Sequence, residues 1–292
     1  MPRLKARGYA DIVAIDKHPH NTATLRRLHP DISVVEADLA TGNGWQAALA
    51  GVAVAVIAHA QIGGVDPAAF IANNVTATQR LLDALRPGGA YLVHISTSAV
   101  KLAIENRYCE TKLTQERLVA DCGLPSVILR PTLMFGWFDR KHLGWLARFM
   151  RRSPLFPIPG TGRYPRQPLY AGDFCDIVMS CIERQPTGAV YDISGLERID
   201  YIDLIRAIRQ ACEAHARLVQ IPYGLFWRLL DIYALFDRSP PFTTEQLEAL
   251  VTPDLFDVID WPGIFGVQAT PLAAALEQTF RHPLYSTIVL EF

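Results

Sequence analysis

The chain holds little cysteine and no arrangement of it that suggests chemistry. Five cysteines, Cys109, Cys122, Cys175, Cys181 and Cys212, are scattered through 292 residues. None forms a Cys-x-x-Cys pair, and no histidine stands at metal-ligand spacing from them, which argues against a disulfide scaffold and a zinc site. An odd, scattered set reads as reduced thiols in a cytoplasmic protein. No apolar run approaches the roughly 20 residues of a membrane span. The first residues, Met1-Pro2-Arg3-Leu4-Lys5-Ala6-Arg7, read as no signal peptide. There is no charge excess either: 28 Lys and Arg face 29 Asp and Glu, a net of −1. That balance argues against a dedicated nucleic-acid binder, which carries a basic surplus. Residues 1–10 contain one glycine, Gly8.

What is present is core-forming material. Half the residues are hydrophobic and a fifth are charged, which excludes a disordered chain. Short β-branched runs at 11–16, 32–37, 52–58, 90–96 and 126–130 alternate with helical stretches at 22–28, 44–49, 67–85 and 110–120. The runs are almost continuously apolar, as parallel strands covered on both faces are. This alternation predicts an α/β fold, a doubly wound parallel sheet with ligands at the C-terminal edge of its strands. Beyond Gly136 the texture changes. Residues 154–168 are rich in proline and read as a long ordered loop. Helices are predicted over 143–152, 172–184 and 201–215. The reading is a Rossmann-type core over 1–136 and a smaller C-terminal lobe over 137–292, with 170–195 returning to the core. The stretch 223–236 is apolar on most faces and too short to span a bilayer. Burial against the lobe is the expectation, with a membrane-surface contact as the lesser alternative. The stretch 260–266 reads as a packed turn.

Two constellations carry chemistry. Asp16 ends the first strand, where a carboxylate accepts the ribose hydroxyls of an adenosine and repels a 2′-phosphate, favouring NAD over NADP; a solvated loop Asp is the plainer reading. Asp38-Leu39 ends the second strand, within reach of an adenine. The second constellation is Ser96-Thr97-Ser98 at a strand end, followed by Tyr108-Cys109-Glu110-Thr111-Lys112. Tyr and Lys four apart share a helix face. An ammonium beside a phenol lowers the phenol's pKa, so that it can trade a proton with an alcohol or carbonyl held by a Ser or Thr hydroxyl.

Several motifs in order resemble the short-chain dehydrogenase/reductase superfamily, in its extended NAD-dependent epimerase/dehydratase branch. They are Ala58-His59-Ala60-Gln61, the helix Asn74-Val75-Thr76-Ala77-Thr78-Gln79-Arg80-Leu81-Leu82, His94-Ile95-Ser96-Thr97-Ser98, Tyr108 to Lys112 with Glu116, Leu129-Arg130-Pro131-Thr132-Leu133-Met134-Phe135-Gly136, and Arg166 to Asp173. The resemblance implies an oxidoreductase, epimerase or dehydratase acting on an alcohol or ketone, such as that of a nucleotide-activated sugar. Tyr108 would be the general acid/base, Lys112 its electrostatic partner and ribose ligand, and Thr97 the holder of the reacting oxygen. NAD would lie along Asp16, Asp38, Leu39, His59, Ala60, Asn74, Pro131 and Thr132. Ser98 and Arg166 would face the substrate, and a homodimer through the long helices is the family's usual assembly. His59 also reads as a packed histidine, Asn74 as a surface residue, and Arg166 as a loop arginine bonding carbonyls.

Two departures qualify the resemblance. Thr97 and Tyr108 are eleven positions apart, shorter than in sugar-nucleotide enzymes and similar to members like the accessory subunit of respiratory complex I. That spacing favours the alternative of a non-catalytic dinucleotide-binding or assembly protein. Family members also open with a strand and a Gly-x-x-Gly-x-x-Gly turn, whereas Leu4 to Tyr9 resembles the end of the helix after such a turn. The expectation is therefore that the strand and turn lie upstream of Met1, and that this chain alone would be an inactive form.

Overall fold

A computed structural model describes residues 1–101, 106–139, 142–236, 244–252 and 255–290. The first half runs α1 (Pro2–Ala6), β1 (Val13–Asp16), α2 (Pro19–Leu28), β2 (Ser33–Glu36), β3 (Val54–Ile57), α3 (Pro67–Phe70), α4 (Ala77–Leu85), β4 (Tyr91–Ile95), α5 (Arg107–Asp121) and β5 (Ser126–Pro131). Between α3 and α4, residues Ile71–Thr76 form a π-helical turn within one continuous helix. The second half contains β6 (Met134–Phe135), α6 (Leu143–Arg152), β7 (Leu155–Pro159), β8 (Pro165–Arg166), β9 (Leu169–Tyr170), α7 (Ala171–Arg184), β10 (Ala189–Ile193), β11 (Ile199–Asp200), α8 (Tyr201–Ala211), β12 (Arg217–Ile221), α9 (Tyr223–Phe236), α10 (Thr244–Val251), α11 (Trp261–Phe265) and α12 (Leu272–Arg281).

Four strands form one parallel sheet in the order β10-β5-β4-β3. Alternation along β4 explains its two covered faces. Tyr91 and Val93 enter a core with Phe174 and Ile177 of α7 and Trp261 and Phe265 of α11. Leu92 enters the opposite core with Leu81, Leu82 and Leu85 of α4 and Val119 of α5. Residues of β10 thus extend the sheet built by the first half, and α11 seals it from the far end of the chain.

β1 and β2 form a separate parallel pair. Ile15 and Val35 pack on the same core as Ile57 of β3, so both sheets cover one hydrophobic layer. Among the described residues no ladder joins β1 to β3. Val13 and Val56 are 37% and 44% exposed, although their strands are apolar. α1 lies on the other face. Leu4 packs with the α7 core, Arg3 pairs with Asp176 at 2.9 Å and Arg7 with Glu183 at 2.9 Å. Lys5 reaches Asp31, just before β2, at 2.6 Å.

The lobe has its own core, with Leu143 and Met150 of α6, Ile205 of α8 and Leu276 of α12. Three expectations are corrected here. The proline-rich segment 154–168 is not a plain loop: β7 pairs in parallel with β12. Phe156 and Ile158 point inward and are buried, while prolines are tolerated because this two-stranded ladder leaves each strand one free edge. The helix predicted to reach 215 stops at Ala211, and the chain turns into β12. The apolar stretch 223–236 is a helix, α9, but is not buried: Leu225, Leu229 and Ile232, spaced to share one face, are 51%, 50% and 53% exposed. No helix among the described residues is long and apolar enough to cross a membrane.

Candidate active site

The end of β4 and the start of α5 meet at the C-terminal edge of the sheet. Asn106 caps α5, its Oδ1 accepting the Cys109 N–H at 2.8 Å, which satisfies a free donor of the first turn. This cap sets the register that puts Tyr108 in the first turn and Lys112 one turn further. Lys112 is 1% exposed, and its Nζ donates to the Ile95 carbonyl at 2.7 Å. Burial lowers the Lys112 pKa to about 8, against the opposing pull of the Glu116 carboxylate. Tyr108 is half-buried and lies beside Thr97. Burial raises the phenol above its ordinary 10, and the neighbouring Thr97 hydroxyl works in the lowering direction. The expectation that Lys112 draws the phenol toward neutrality is therefore corrected for this structure. The ammonium is held at the β4 carbonyl, and the groups it acts on are His59 and His94.

Behind the pair lies a buried polar cluster. His59 follows β3, its Nε2 3.0 Å from Thr78 Oγ1. Thr78 also accepts Gln115 Nε2 at 2.7 Å and donates to the Asn74 carbonyl at 2.6 Å. The π-helical turn presents Asn74, fully buried, so that its amide bridges two elements. Oδ1 accepts the Gln61 N–H at 2.5 Å, and Nδ2 donates to Thr111 Oγ1 at 2.8 Å and to the Gln61 carbonyl at 3.1 Å. One side chain therefore ties the loop after β3, which carries Ala60, to the helix that carries Tyr108. Such insertions in helices are commonly found at functional positions. His94, in the middle of β4, is fully buried with neither ring nitrogen hydrogen-bonded. Burial drives both histidines to the neutral form, His59 to about 4 and His94 well below 6.5, with the Lys112 charge adding to each shift.

Glu116, one turn beyond Lys112, is 6% exposed. It accepts Ser96 Oγ at 2.5 Å, Arg130 Nε at 2.9 Å and Arg130 Nη2 at 2.6 Å. Arg130 faces Asp192 of β10 at 3.8 Å, and Lys101 reaches Asp192 at 3.1 Å.

At the other side of the sheet edge, Asp16 tips β1. Its oxygens accept the His18 N–H at 2.8 Å and Asn21 Nδ2 at 3.2 Å. Asp38, after β2, accepts the Ala40 N–H at 2.8 Å, and half-buried Leu39 packs beneath it. Lys17 reaches Asn73 Oδ1 at 2.9 Å, crossing between the two sheets. Pro131 ends β5, and Thr132, bound through its N–H to the Ile193 carbonyl, has a buried Oγ1 with no partner.

The two residues expected to face the substrate are both buried. Ser98 is 2% exposed and donates to the Arg130 carbonyl at 2.8 Å, a bond within the sheet edge. Arg166 lies in the lobe, 7% exposed, with Nη1 on the Thr252 carbonyl at 2.8 Å. A cavity of about 190 Å³ lies between core and lobe, lined by Phe135, Tyr170, Asp173 and Trp261 among others. Thr97, Tyr108 and Lys112 are not part of its wall. Sequence reasoning missed Gln115, Thr111 and His94 as members of the cluster. Gln115 was findable, since three positions after Lys112 it shares that helix face.

Comparisons with known proteins bear on the family and the fold. The family model of the NAD dependent epimerase/dehydratase family matches residues 1–194. A mitochondrial NADH dehydrogenase [ubiquinone] 1 alpha subcomplex subunit 9 from Dictyostelium discoideum is 25% identical over 179 residues, covering 60% of this chain and 49% of that protein. A dTDP-glucose 4,6-dehydratase from Xanthomonas campestris is 24% identical over 180 residues, covering 51% of each. The chain thus spans about half the length of these relatives. Among solved structures, a UDP-glucuronic acid 4-epimerase from Bacillus cereus in complex with NAD superposes with a TM-score of 0.73 at 20% identity, covering 96% of this chain and 92% of that one. A UDP-glucose 4-epimerase from Thermotoga maritima does so at 0.74 and 15% identity, covering 97% and 94%. These likenesses establish the shared Rossmann-type fold. With a family model spanning residues 1–194, most of the chain, the protein belongs to the NAD dependent epimerase/dehydratase family.

Proposed function

We propose that this chain is built for proton and hydride transfer at an alcohol or ketone carbon with NAD, its substrate being a nucleotide-activated sugar. The observation that carries the reading is the placing of Tyr108 beside Thr97, with buried Lys112 one turn along α5 and held at the end of β4. The residues present fit the two ends of a dinucleotide. Asp16 and Asp38 offer carboxylates at the adenosine side, and Lys112 with the unpartnered Thr132 hydroxyl offers donors at the other. When bound, NAD supplies the hydride acceptor or donor. The chain's own part is the proton. Burial keeps the Tyr108 phenol in its acid form, so it is poised to protonate an oxygen held by Thr97. The acidic tip of β1 supports NAD over its 2′-phosphorylated form.

The test is Tyr108→Phe, assayed with NAD on UDP-glucose, UDP-glucuronate and dTDP-glucose. Loss of positioned acid/base catalysis lowers turnover by about 10²–10⁴-fold, while NAD titration followed by fluorescence stays close to the parent. Turnover equal to the parent's refutes the role. A second reading, a dinucleotide-binding assembly protein, is favoured by the similarity to a respiratory-complex subunit and by the short Thr97–Tyr108 spacing. NAD binding with no turnover of any of the sugars, and co-purification with a larger complex, would select it.

A further inference from the structure

The Tyr–Lys pair depends on a third residue. Lys112 is a cation inside the protein. The charged and titratable groups around it are Glu116 on its own helix, His59 after β3, His94 on β4 and, behind Glu116, Arg130 on β5, with Asp192 on β10 and Lys101 further out. Of these, the two histidines are neutral and sit where a charge on Lys112 repels any proton they might take. Glu116 is the anion that acts on Lys112 directly. The same carboxylate accepts the hydroxyl of Ser96, the residue before Thr97, and both arms of Arg130, whose carbonyl receives Ser98. One side chain on α5 therefore touches the chain before the Thr97 turn directly and reaches Ser98 after it through Arg130, one helical turn from the Lys112 charge.

We propose that Glu116 is the positioning residue of this site, holding Lys112 as an ammonium and fixing the Ser96–Ser98 strand end against α5. The inference rests on the Tyr–Lys reading above, but its test does not require turnover. Its physical basis is that an ammonium removed from water keeps its proton only when an anion offsets the lost hydration. A bidentate guanidinium pair fixes the direction of that anion more tightly than a single contact would. Ser96 completes the carboxylate's shell, so the oxygens cannot rotate away without breaking three bonds.

The experiment is an NMR titration of the whole chain, labelled with ¹³C at the lysine ε-carbons. Only five lysines are present, so Lys112 can be assigned by its loss in Lys112→Met. In the parent its midpoint lies near 8. Glu116→Gln removes the charge at constant shape, and the midpoint falls by on the order of one pH unit. Because that change leaves Arg130 without its anion and can cost folding, a second variant, Glu116→Leu with Arg130→Met, removes the pair together; buried pairs exchanged for apolar groups commonly keep their fold. Its Lys112 midpoint falls as well. Arg130→Met alone keeps the carboxylate, and its midpoint does not fall. A fall in Arg130→Met equal to that in the Glu116 variants would mean that loosened packing moves Lys112. No fall in the folded variants lacking the carboxylate would mean that Glu116 does not support the ammonium. Either result overturns the proposal while leaving the Tyr108 test untouched.

Discussion

Acid should unfold this protein through two histidines, and the size of the effect follows from their burial. An ordinary histidine takes a proton at about pH 6.5. In the folded chain His59 does so only near 4, and His94 well below 6.5, because burial and the Lys112 charge both oppose the imidazolium. Below pH 6.5 the unfolded chain binds protons that the folded one refuses, so stability is full above that value and drains as pH falls toward the folded values. At pH 5 the loss is about 2 kcal/mol for His59, about 1.5 units at about 1.4 kcal/mol per unit, and His94 adds a loss of the same sign. His94→Leu isolates one ring. At pH 7.5 the variant gains about 1–3 kcal/mol, since it removes buried polar nitrogens that have no partner and places an apolar side chain between Ile57 and Ile128 in the β-ladder. At pH 5 its advantage is wider, as the proton-linked penalty disappears. Urea unfolding at both pH values gives the two differences directly. An advantage that is the same at pH 5 and 7.5 refutes the reasoning, because it means His94 titrates normally within the fold.

Two further changes probe the frame. Asn74→Ala strips the Gln61 N–H and Thr111 of a buried partner, and should lower stability by about 2–3 kcal/mol, read as a fall in thermal midpoint. Asn74→Asp keeps the acceptor for the Gln61 N–H but sets a buried carboxylate oxygen against the Gln61 carbonyl and Thr111 Oγ1, and should lose at least as much. Gly162 stands at φ +69°, where an added Cβ would lie 2.8 Å from Ile158 Cγ2 and Ile202 Cβ. Gly162→Ala should cost about 2–4 kcal/mol by urea unfolding through strain and crowding in the lobe core; a loss under about 0.5 kcal/mol, the range of harmless surface changes, contradicts that packing.

The parts of the fold legible in the sequence are those written in local spacing. β4 and β5 announce themselves because both faces are covered and their apolar runs are unbroken. Tyr108 and Lys112 can be placed because four positions on a helix define a face. What escaped was set by partners far away in sequence. Leu155 to Pro159 reads as loop until β12, some sixty residues later, supplies the ladder. The π-helical turn at Asn74 is invisible because the surrounding apolar spacing suits an ordinary helix. Ser98 looks like a site hydroxyl until Arg130 claims it. The Glu116–Arg130 pair crosses from a helix to a strand, and no periodicity predicts such a meeting.

The divided sheet has a consequence for what any binding measurement reports. Asp16 rides on β1 and β2, which are tethered to the rest by a shared apolar layer, the short α1, the Lys17–Asn73 bridge and the Arg80 clamp on Ala40 and Gly42 after β2, rather than by a continuous ladder. Tyr108 and Lys112 belong to the four-stranded body. Two such units can open separately, and the smaller one opens at lower free energy. A ligand long enough to touch both must hold them at a fixed separation. Part of its interaction free energy is then absorbed as lost relative motion, and its apparent affinity is reduced by the fraction of time the two are misaligned. Dissociation constants for short and long ligands of this chain will therefore differ by more than their contacts alone, the excess measuring how loosely the β1–β2 pair is held.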